Sequence, residues 1–252
     1  MGQTLVRLIR ETPELQLAGG IDRENVEGKP ARQLGFDRIE TAASAAQLIR
    51  DADVVIDFSA PDGVAVLVNE RAEDLAGKAL LVGTTGLDAT AQDSLRKLSS
   101  SAAVLVAANF SVGVNLMLGM VEAAARVLPA DRFDVEIIEA HHRHKADAPS
   151  GTALALGRAV AGARGVELED LQKDGRTGKP GARPDGEIGF HAVRGGEVVG
   201  EHRVLFLGAR ERFEIAHAAS DRALFADGAL LAARWISGKP SGWYTMKDVL
   251  GL

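Results

Sequence analysis

Cysteine is absent from the 252 residues, which excludes disulfides, thiolate nucleophiles and thiolate-ligated metals. Aromatic residues make up only 4%, with two Trp and one Tyr, so the stacking platforms of single-strand nucleic-acid binders are missing. An excess of positive charge is missing too. The 29 Lys+Arg against 35 Asp+Glu leave a net charge of −6, which argues against phosphate-backbone binding as a main task. No apolar run approaches the ~20 residues of a membrane span. The opening Met1-Gly2-Gln3-Thr4-Leu5-Val6-Arg7 lacks the basic-then-apolar run of a secretory signal. What remains is a globular chain, 46% hydrophobic and 25% charged, close to average composition. It is expected in the cytoplasm, without nucleic-acid or membrane partners.

Glycine is plentiful, at 28 residues, and glycine lets backbone approach a ligand closely. Through the first hundred residues, short β-branched runs alternate with helical periods. Strands are predicted over Leu15–Ile21, Val54–Ser59, Ala79–Val82 and Val104–Ala108, with helices over 42–50, 62–75 and 89–99 between them. That alternation marks a doubly wound, Rossmann-like parallel sheet, whose ligands lie beyond the carboxyl ends of the strands. Asp22, Ser59, Gly83–Gly86 and Asn109 fall at those ends.

From about residue 112 the rhythm changes. A helix over 114–127 and a strand over Phe133–Ala140 lead into a polar loop, and a helix follows over 151–162. A Gly/Pro-rich loop over 174–186 precedes three strand-like runs, 187–194, 197–207 and 211–218. Gly195-Gly196 reads as a hairpin between the first two of these. The organisation expected is a first domain of residues 1–111 with 222–252 and an α+β domain of residues 112–221, the helix over 222–238 returning to the first.

The opening departs from the doubly wound pattern. Such a unit starts with a strand and a glycine-rich turn, whereas this chain starts with a helix over residues 3–11, with Leu5, Leu8 and Ile9 on one face. The first strand of the 3-2-1-4-5 order lies mid-sheet. Without it, the strand ending at Asp22 and the strand 54–59 are expected to stand apart, separated by two spacings of ~4.8 Å each with ladder groups unpaired. The expectation is that a natural version begins upstream, with a strand and turn ending near Met1-Gly2. The other reading is a first domain built differently, with no strand missing.

The densest chemical signal is Glu139-Ala140-His141-His142-Arg143-His144-Lys145-Ala146-Asp147-Ala148-Pro149-Ser150-Gly151-Thr152-Ala153, which holds three of the six histidines. It lies between a strand and a helix. Ser150 is a good N-cap, so the amides of Gly151 and Thr152 sit at a helix start, where free N–H groups and the helix dipole bind carboxylate or phosphate. His141 and Lys145 beside it are proton donors tunable towards neutrality. Together they read as a site for an anionic substrate that needs a proton. The alternatives are a solvated basic loop, or a metal site with Glu139 or Asp147 assisting the histidines.

Asp22-Arg23 ends the second predicted strand. An acidic residue there bonds the ribose hydroxyls of NAD, and an arginine meets the 2′-phosphate of NADP. The same pair is also ordinary turn chemistry. Gly83-Thr84-Thr85-Gly86 suits backbone approach to a nicotinamide ribose or ring, and Asn109 and Phe110 either line a pocket or join the domains. His191, His202 and His217 in the later strands read as packed or interface side chains.

The run Glu139 to Ala153 resembles the E-x-H-H-x-x-K-x-D-A-P-S-G-T-A signature of the 4-hydroxy-tetrahydrodipicolinate reductase (dihydrodipicolinate reductase) family, filled at every fixed position. Ile56-Asp57-Phe58-Ser59, Gly83–Gly86, Ala107–Asn115, Val199-Gly200-Glu201-His202 and Ser237-Gly238-Lys239 follow in the family's order. The resemblance covers essentially the whole chain. It implies an oxidoreductase of diaminopimelate and lysine biosynthesis, which reduces a cyclic dicarboxylate with NADH or NADPH. It implies His141 as catalytic acid/base, Lys145 as proton donor, His142 as substrate contact, and Gly151 with Thr152 as holders of a substrate carboxylate. Asp22 and Arg23 would take the adenosine ribose end of the cofactor. Gly83, Thr84, Thr85, Ala107, Ala108, Asn109 and Phe110 would line the nicotinamide side. It further implies a dinucleotide-binding domain closed by the C-terminal helix, a substrate domain whose sheet builds a homotetramer, and no bound metal. The family's glycine-rich pyrophosphate loop is represented here by Met1-Gly2, and Met1 is counted among the cofactor contacts on that basis. A truncated, cofactor-impaired oligomeric homologue is the alternative function.

Overall fold

The computed structural model describes residues 1–22 and 38–252. Within it the chain divides into two units, one of residues 1–111 and 223–251, the other of residues 112–222 with Leu252. Among the described residues no helix is long and apolar enough to cross a membrane.

Unit 1 opens with helix α1 (Gly2–Glu11), whose buried Leu5 and Val6 and partly buried Leu8 and Ile9 form its packed side. Strands β1 (Gly20–Ile21) and β2 (Ile39–Glu40) pair with each other in parallel, as a ladder separate from the main sheet. Helix α2 (Ala46–Asp51) leads to β3 (Val54–Asp57), α3 (Pro61–Leu75), β4 (Ala79–Val82), α4 (Ala89–Leu98) and β5 (Ala103–Val106). Alternate residues of a strand point to opposite faces. Leu81 and Leu105 accordingly pack in one cluster with Leu5, and Leu80 and Val104 in another with Leu67, Leu75 and Leu95. Burial on both faces explains why β4 is apolar and buried at every position.

The strand ending near Asp22 and the strand at 54–57 belong to separate ladders. The strand expected over 15–21 is ordered as strand only at Gly20–Ile21, because β2 is the one ladder neighbour it has among the described residues. The strand expected to reach Ser59 stops at Asp57. There the Asp57 carboxylate accepts both the Ser59 amide and its hydroxyl, each at 2.9 Å, a local turn that takes the chain out of the ladder.

Unit 2 holds α5 (Val112–Val127), β6 (Phe133–His141), α6 (Gly151–Ala163), β7 (Gln172–Asp174), β8 (Ile188–Arg194), β9 (Gly200–Gly208) and β10 (Arg212–Ala219). The sheet order is β10-β9-β6-β8-β7. Its inward residues, Val135, Ile137, Phe190, Val204 and Phe206, share a core with Leu156 and Val160 of α6 and Val121 of α5. Gly157 permits that approach, since a Cβ there would stand 2.5 Å from the Phe190 ring.

The hairpin expected at Gly195-Gly196 is corrected. Strands β8 and β9 are not neighbours, because β6 lies between them, parallel to β8 and antiparallel to β9. The turn pairs with the end of β6 instead: Gly195 N–H donates to the His141 carbonyl at 3.0 Å and Arg143 N–H to the Gly196 carbonyl at 3.2 Å. The loop expected over 174–186 is entered by β7, which pairs in parallel with β8.

Unit 1 resumes with α7 (Ala223–Ile236), β11 (Gly242–Tyr244) and α8 (Met246–Leu250). Strand β11 adds in parallel to β5, so the main sheet runs β11-β5-β4-β3.

Candidate active site

Strand β6 alternates, with Phe133, Val135, Ile137 and Glu139 all buried. The alternation carries a carboxylate, 1% exposed, into the interior. Burial on that scale needs compensating partners, and Glu139 has three, which make four contacts with it. Arg194 donates through both terminal nitrogens, one to each oxygen at 2.7 Å. His141 Nδ1 lies 2.6 Å from Oε2, and the Ser150 amide donates to Oε1 at 3.0 Å. Burial by itself pushes the Glu139 carboxyl up; the hydrogen bonds from Arg194, His141 and Ser150 outweigh it and hold it below its ordinary value. The same bond to Glu139 raises Arg194, against its own desolvation.

The helix start predicted at Ser150 is built as expected, with the Ser150 hydroxyl accepting the Ala153 amide at 3.2 Å. One carboxylate thus holds the tip of α6 and the imidazole of His141. Gly151 is exposed, with open space where a side chain would stand.

His202 lies opposite Glu139 in the β6–β9 ladder. Its ring is 4% exposed and meets the His141 ring edge-on at 5.2 Å and 74°. Its Nε2 is 3.3 Å from the Ser150 hydroxyl. Burial, with the nearby charge of His141 second, pushes the His202 imidazole down to about 4, so it is neutral near pH 7. Lys145 donates to Asp147 at 2.8 Å, and that bond holds the Asp147 carboxyl low. His142 and His144 stand with ring centroids 6.2 Å apart. The metal reading of the loop fails on Glu139, whose oxygens are taken by Arg194, His141 and Ser150.

In unit 1, the residues expected around a nicotinamide divide into two sets. Thr85 and Ala108 are exposed, with Gly83, Ala107 and Asn109 half-buried. Thr84 and Phe110 are buried, and their side chains are engaged within unit 1. The Thr84 hydroxyl donates inward to Asp57 at 2.6 Å, fixing the turn after β4. The Phe110 ring, 1% exposed, packs against Phe58 at 5.5 Å. Gly83 makes room for that pair, because a Cβ there would stand 2.3 Å from the Phe58 ring. The Asn109 side chain accepts the Ser111 amide at 2.8 Å. Met1 is the N-cap of α1, with no side-chain capping bond. Asp22 is exposed, its amide bonded to the Glu40 carbonyl at 2.9 Å, and Arg23 lies outside the described residues.

Sequence reasoning did not single out Arg194, gave Asp57 no role beyond its place in a motif, and read His202 as a packed or interface side chain. Strand alternation along β6 was the available signal for an inward Glu139. Nothing local marks Arg194, fifty-odd positions away, as its partner.

Family profiles match almost the whole chain. One described as "Dihydrodipicolinate reductase, N-terminus" matches residues 1–110, and one described as "Dihydrodipicolinate reductase, C-terminus" matches residues 113–250. The chain is 45% identical to a 4-hydroxy-tetrahydrodipicolinate reductase of Parvibaculum lavamentivorans, covering 100% of this chain and 94% of that one. It is 42% identical to one of Acinetobacter baumannii, covering 100% and 93%. A dipicolinate-bound dihydrodipicolinate reductase from Paenisporosarcina sp. TG-14 superposes with a TM-score of 0.75 at 23% identity, covering 97% of this chain and 92% of that one, and bears on the fold.

Proposed function

The chain belongs to the dihydrodipicolinate reductase family, and from that membership we propose that it reduces 4-hydroxy-tetrahydrodipicolinate to tetrahydrodipicolinate with NADH or NADPH, in lysine biosynthesis. It is a nicotinamide-dependent oxidoreductase. The observation that carries the reading is the Glu139 cluster, in which a histidine and a helix N-terminus share one carboxylate while its partner Arg194 donates to the Asp147 carbonyl of the lysine-bearing loop at 2.7 Å.

The residues of unit 1 suit a dinucleotide. Exposed small residues, Thr85, Gly86 and Ala108, follow the strands β4 and β5 at their carboxyl ends, where such sheets bind ligands. The start of α1, uncapped by any side chain, suits a pyrophosphate. Met1 would take that end and Asp22 with Arg23 the adenosine ribose, while Gly83, Thr84, Thr85 and Ala107 to Phe110 would lie along the nicotinamide side. When bound, the nicotinamide supplies the hydride.

In unit 2 the α6 start, through the amides of Gly151 and Thr152, holds one substrate carboxylate by dipole and hydrogen bond. His142 contacts the second acidic end. Lys145 holds a proton at Nζ and His141 one at Nε2, and the substrate nitrogen takes its proton from this pair. Lys145 leaves Asp147 to do so. The active form is read as a cytoplasmic homotetramer assembled through the unit 2 sheet. Support comes from Val193, 53% exposed on β8, and Phe213, 44% exposed on β10.

The test is the purified chain with 4-hydroxy-tetrahydrodipicolinate, following nicotinamide absorbance with each cofactor in turn. Substrate-dependent oxidation is expected with both, given Asp22 beside Arg23, and the ratio of kcat/KM values sets the preference. Oxidation of neither overturns the reading. Light scattering of the same sample is expected to give four chains per particle.

A further inference from the structure

We infer that Glu139 is a positioning residue for the reaction: its carboxylate, gripped by both terminal nitrogens of Arg194, takes the Nδ1 hydrogen of His141 and leaves Nε2 as the nitrogen that exchanges a proton. The inference rests on the reductase reading of the site. At 1% exposure Glu139 has no surface to offer a substrate, so any part it plays is through another group.

Its oxygens are committed. Oε1 accepts Arg194 at 2.7 Å and the Ser150 amide at 3.0 Å, and Oε2 accepts Arg194 at 2.7 Å and faces His141 Nδ1 at 2.6 Å. An ionised carboxylate is an acceptor only, so Nδ1 carries a hydrogen whether the imidazole is neutral or charged. Protonation of His141 therefore changes at Nε2 alone. Two neighbours hold the ring in that pose. His202 stands edge-on to it at 5.2 Å, itself buried. Gly200 leaves the Nε2 side clear, where a Cβ would come within 3.1 Å. Because Glu139 also bonds the amide of the α6 cap, the imidazole and the helix tip that takes the substrate carboxylate are set from one fixed point. Such shared anchoring is how a supporting residue fixes reacting groups to within a fraction of an ångström.

The experiment compares the full-length wild type with Glu139→Gln, which keeps the shape and removes the charge. The expected result is a fall in kcat of about a hundredfold with KM for the dicarboxylate within about threefold, since orientation of the proton donor and not substrate binding is lost. In parallel, 15N spectra at alkaline pH, assigned with His141→Asn, are expected to show the Nδ1–H tautomer of His141 in the wild type and a mixture in Glu139→Gln. A kcat within twofold of wild type, or an unchanged tautomer pattern, overturns the inference. Should Glu139→Gln fail to fold, Glu139→Gln/Arg194→Met removes both charges together, and the same two readouts decide. A wild type that never oxidises NAD(P)H sinks the reductase reading instead, and the tautomer spectra still judge Glu139.

Discussion

Strand β6 carries two clamped glutamates three residues apart, on opposite faces, and they do different things. Glu139 points inward and joins Arg194, His141 and the α6 cap. Glu136 points outward and collects Arg176 at 2.9 and 3.0 Å, Arg183 at 3.1 Å and His191 at 2.7 Å. Arg176 also pairs with Glu187, and Arg183 with Asp134. Burial pushes the Glu136 carboxyl up, and the bonds from Arg176, His191 and Arg183 bring it below its ordinary value. The chemistry of the two hubs is the same, a carboxylate gripped bidentately by arginine. What differs is what each arginine and its companions are attached to. The partners of Glu136 come from the Gly/Pro-rich stretch after β7 and from β8, and they tie that stretch to the sheet. The partners of Glu139 include the histidine and the helix tip to which the proposed function gives the proton and the substrate carboxylate. On that proposal one hub holds the fold and the other the reaction, and substitutions are expected to separate stability from turnover accordingly.

The largest effect is expected where the comparison is most one-sided. Lys145→Ala removes the proposed proton donor and leaves the bonds of both hubs in place, and turnover is expected to fall by about a hundredfold or more, with NADH affinity and thermal midpoint near wild type. Steady-state kinetics and cofactor fluorescence measure it; unchanged turnover would remove Lys145 from the reaction.

The next effect separates the hubs by pH. His202 supports the inward hub as a neutral ring, with a folded value of about 4 against an ordinary 6.5. A depressed histidine contributes stability in full above the ordinary value, and that stability is lost as pH falls from 6.5 towards 4, because the unfolded chain binds the proton first. The full difference is about 3 kcal/mol. Both glutamates are also lowered, so their contributions are lost only at more acid pH, as pH falls below the ordinary carboxyl value. Thermal midpoints measured across that range are expected to fall in the wild type and to stay flatter in His202→Asn. Parallel curves for the two proteins would remove His202 as the cause.

The inward hub was half legible in the sequence. Signature, cap and strand alternation are all local, so His141, Lys145 and the Ser150 helix start could be read directly. The central strands of unit 1 were legible for the same reason: Ala79–Val82 is an unbroken apolar run because both its faces are covered. Partnerships between distant residues were not legible. Arg194 meets Glu139 only because β8 lies beside β6, and the chain between β8 and β9 read as a hairpin when β6 in fact separates them. Short elements were missed as well. Strands β2, β7 and β11 have two or three residues each, too few for any period to show. The stretch 174–186 read as a loop without hydrophobic pattern, which it is, but its order comes from Arg176 and Arg183 on Glu136, and no periodicity reports an ion cluster.

The outward hub supplies the smaller and more diagnostic effects, on stability alone. Glu136→Ala leaves Arg176 and Arg183 facing one another across a partly buried site. The cost is expected near 2 kcal/mol, below that of a fully buried pair because the site keeps some contact with water. A finer probe is Gly189, directly opposite Glu136 in the β6–β8 ladder. A Cβ on Gly189 would stand 1.9 Å from Glu136 Oε2, so Gly189→Ala must push the carboxylate off its arginines while leaving every charge present. The far end of a glutamate side chain can move, which limits the loss to about 1 kcal/mol. In Glu136→Ala the obstacle is gone, and adding Gly189→Ala to it is expected to cost almost nothing further, a non-additivity that two unrelated sites would not show. Denaturant unfolding of the two single variants and the double variant measures the coupling, and kcat should stay at the wild-type value in all three. Strict additivity would mean that Gly189 is glycine for some reason other than the room it leaves for Glu136. A fall in kcat would mean that the two faces of β6 are not independent.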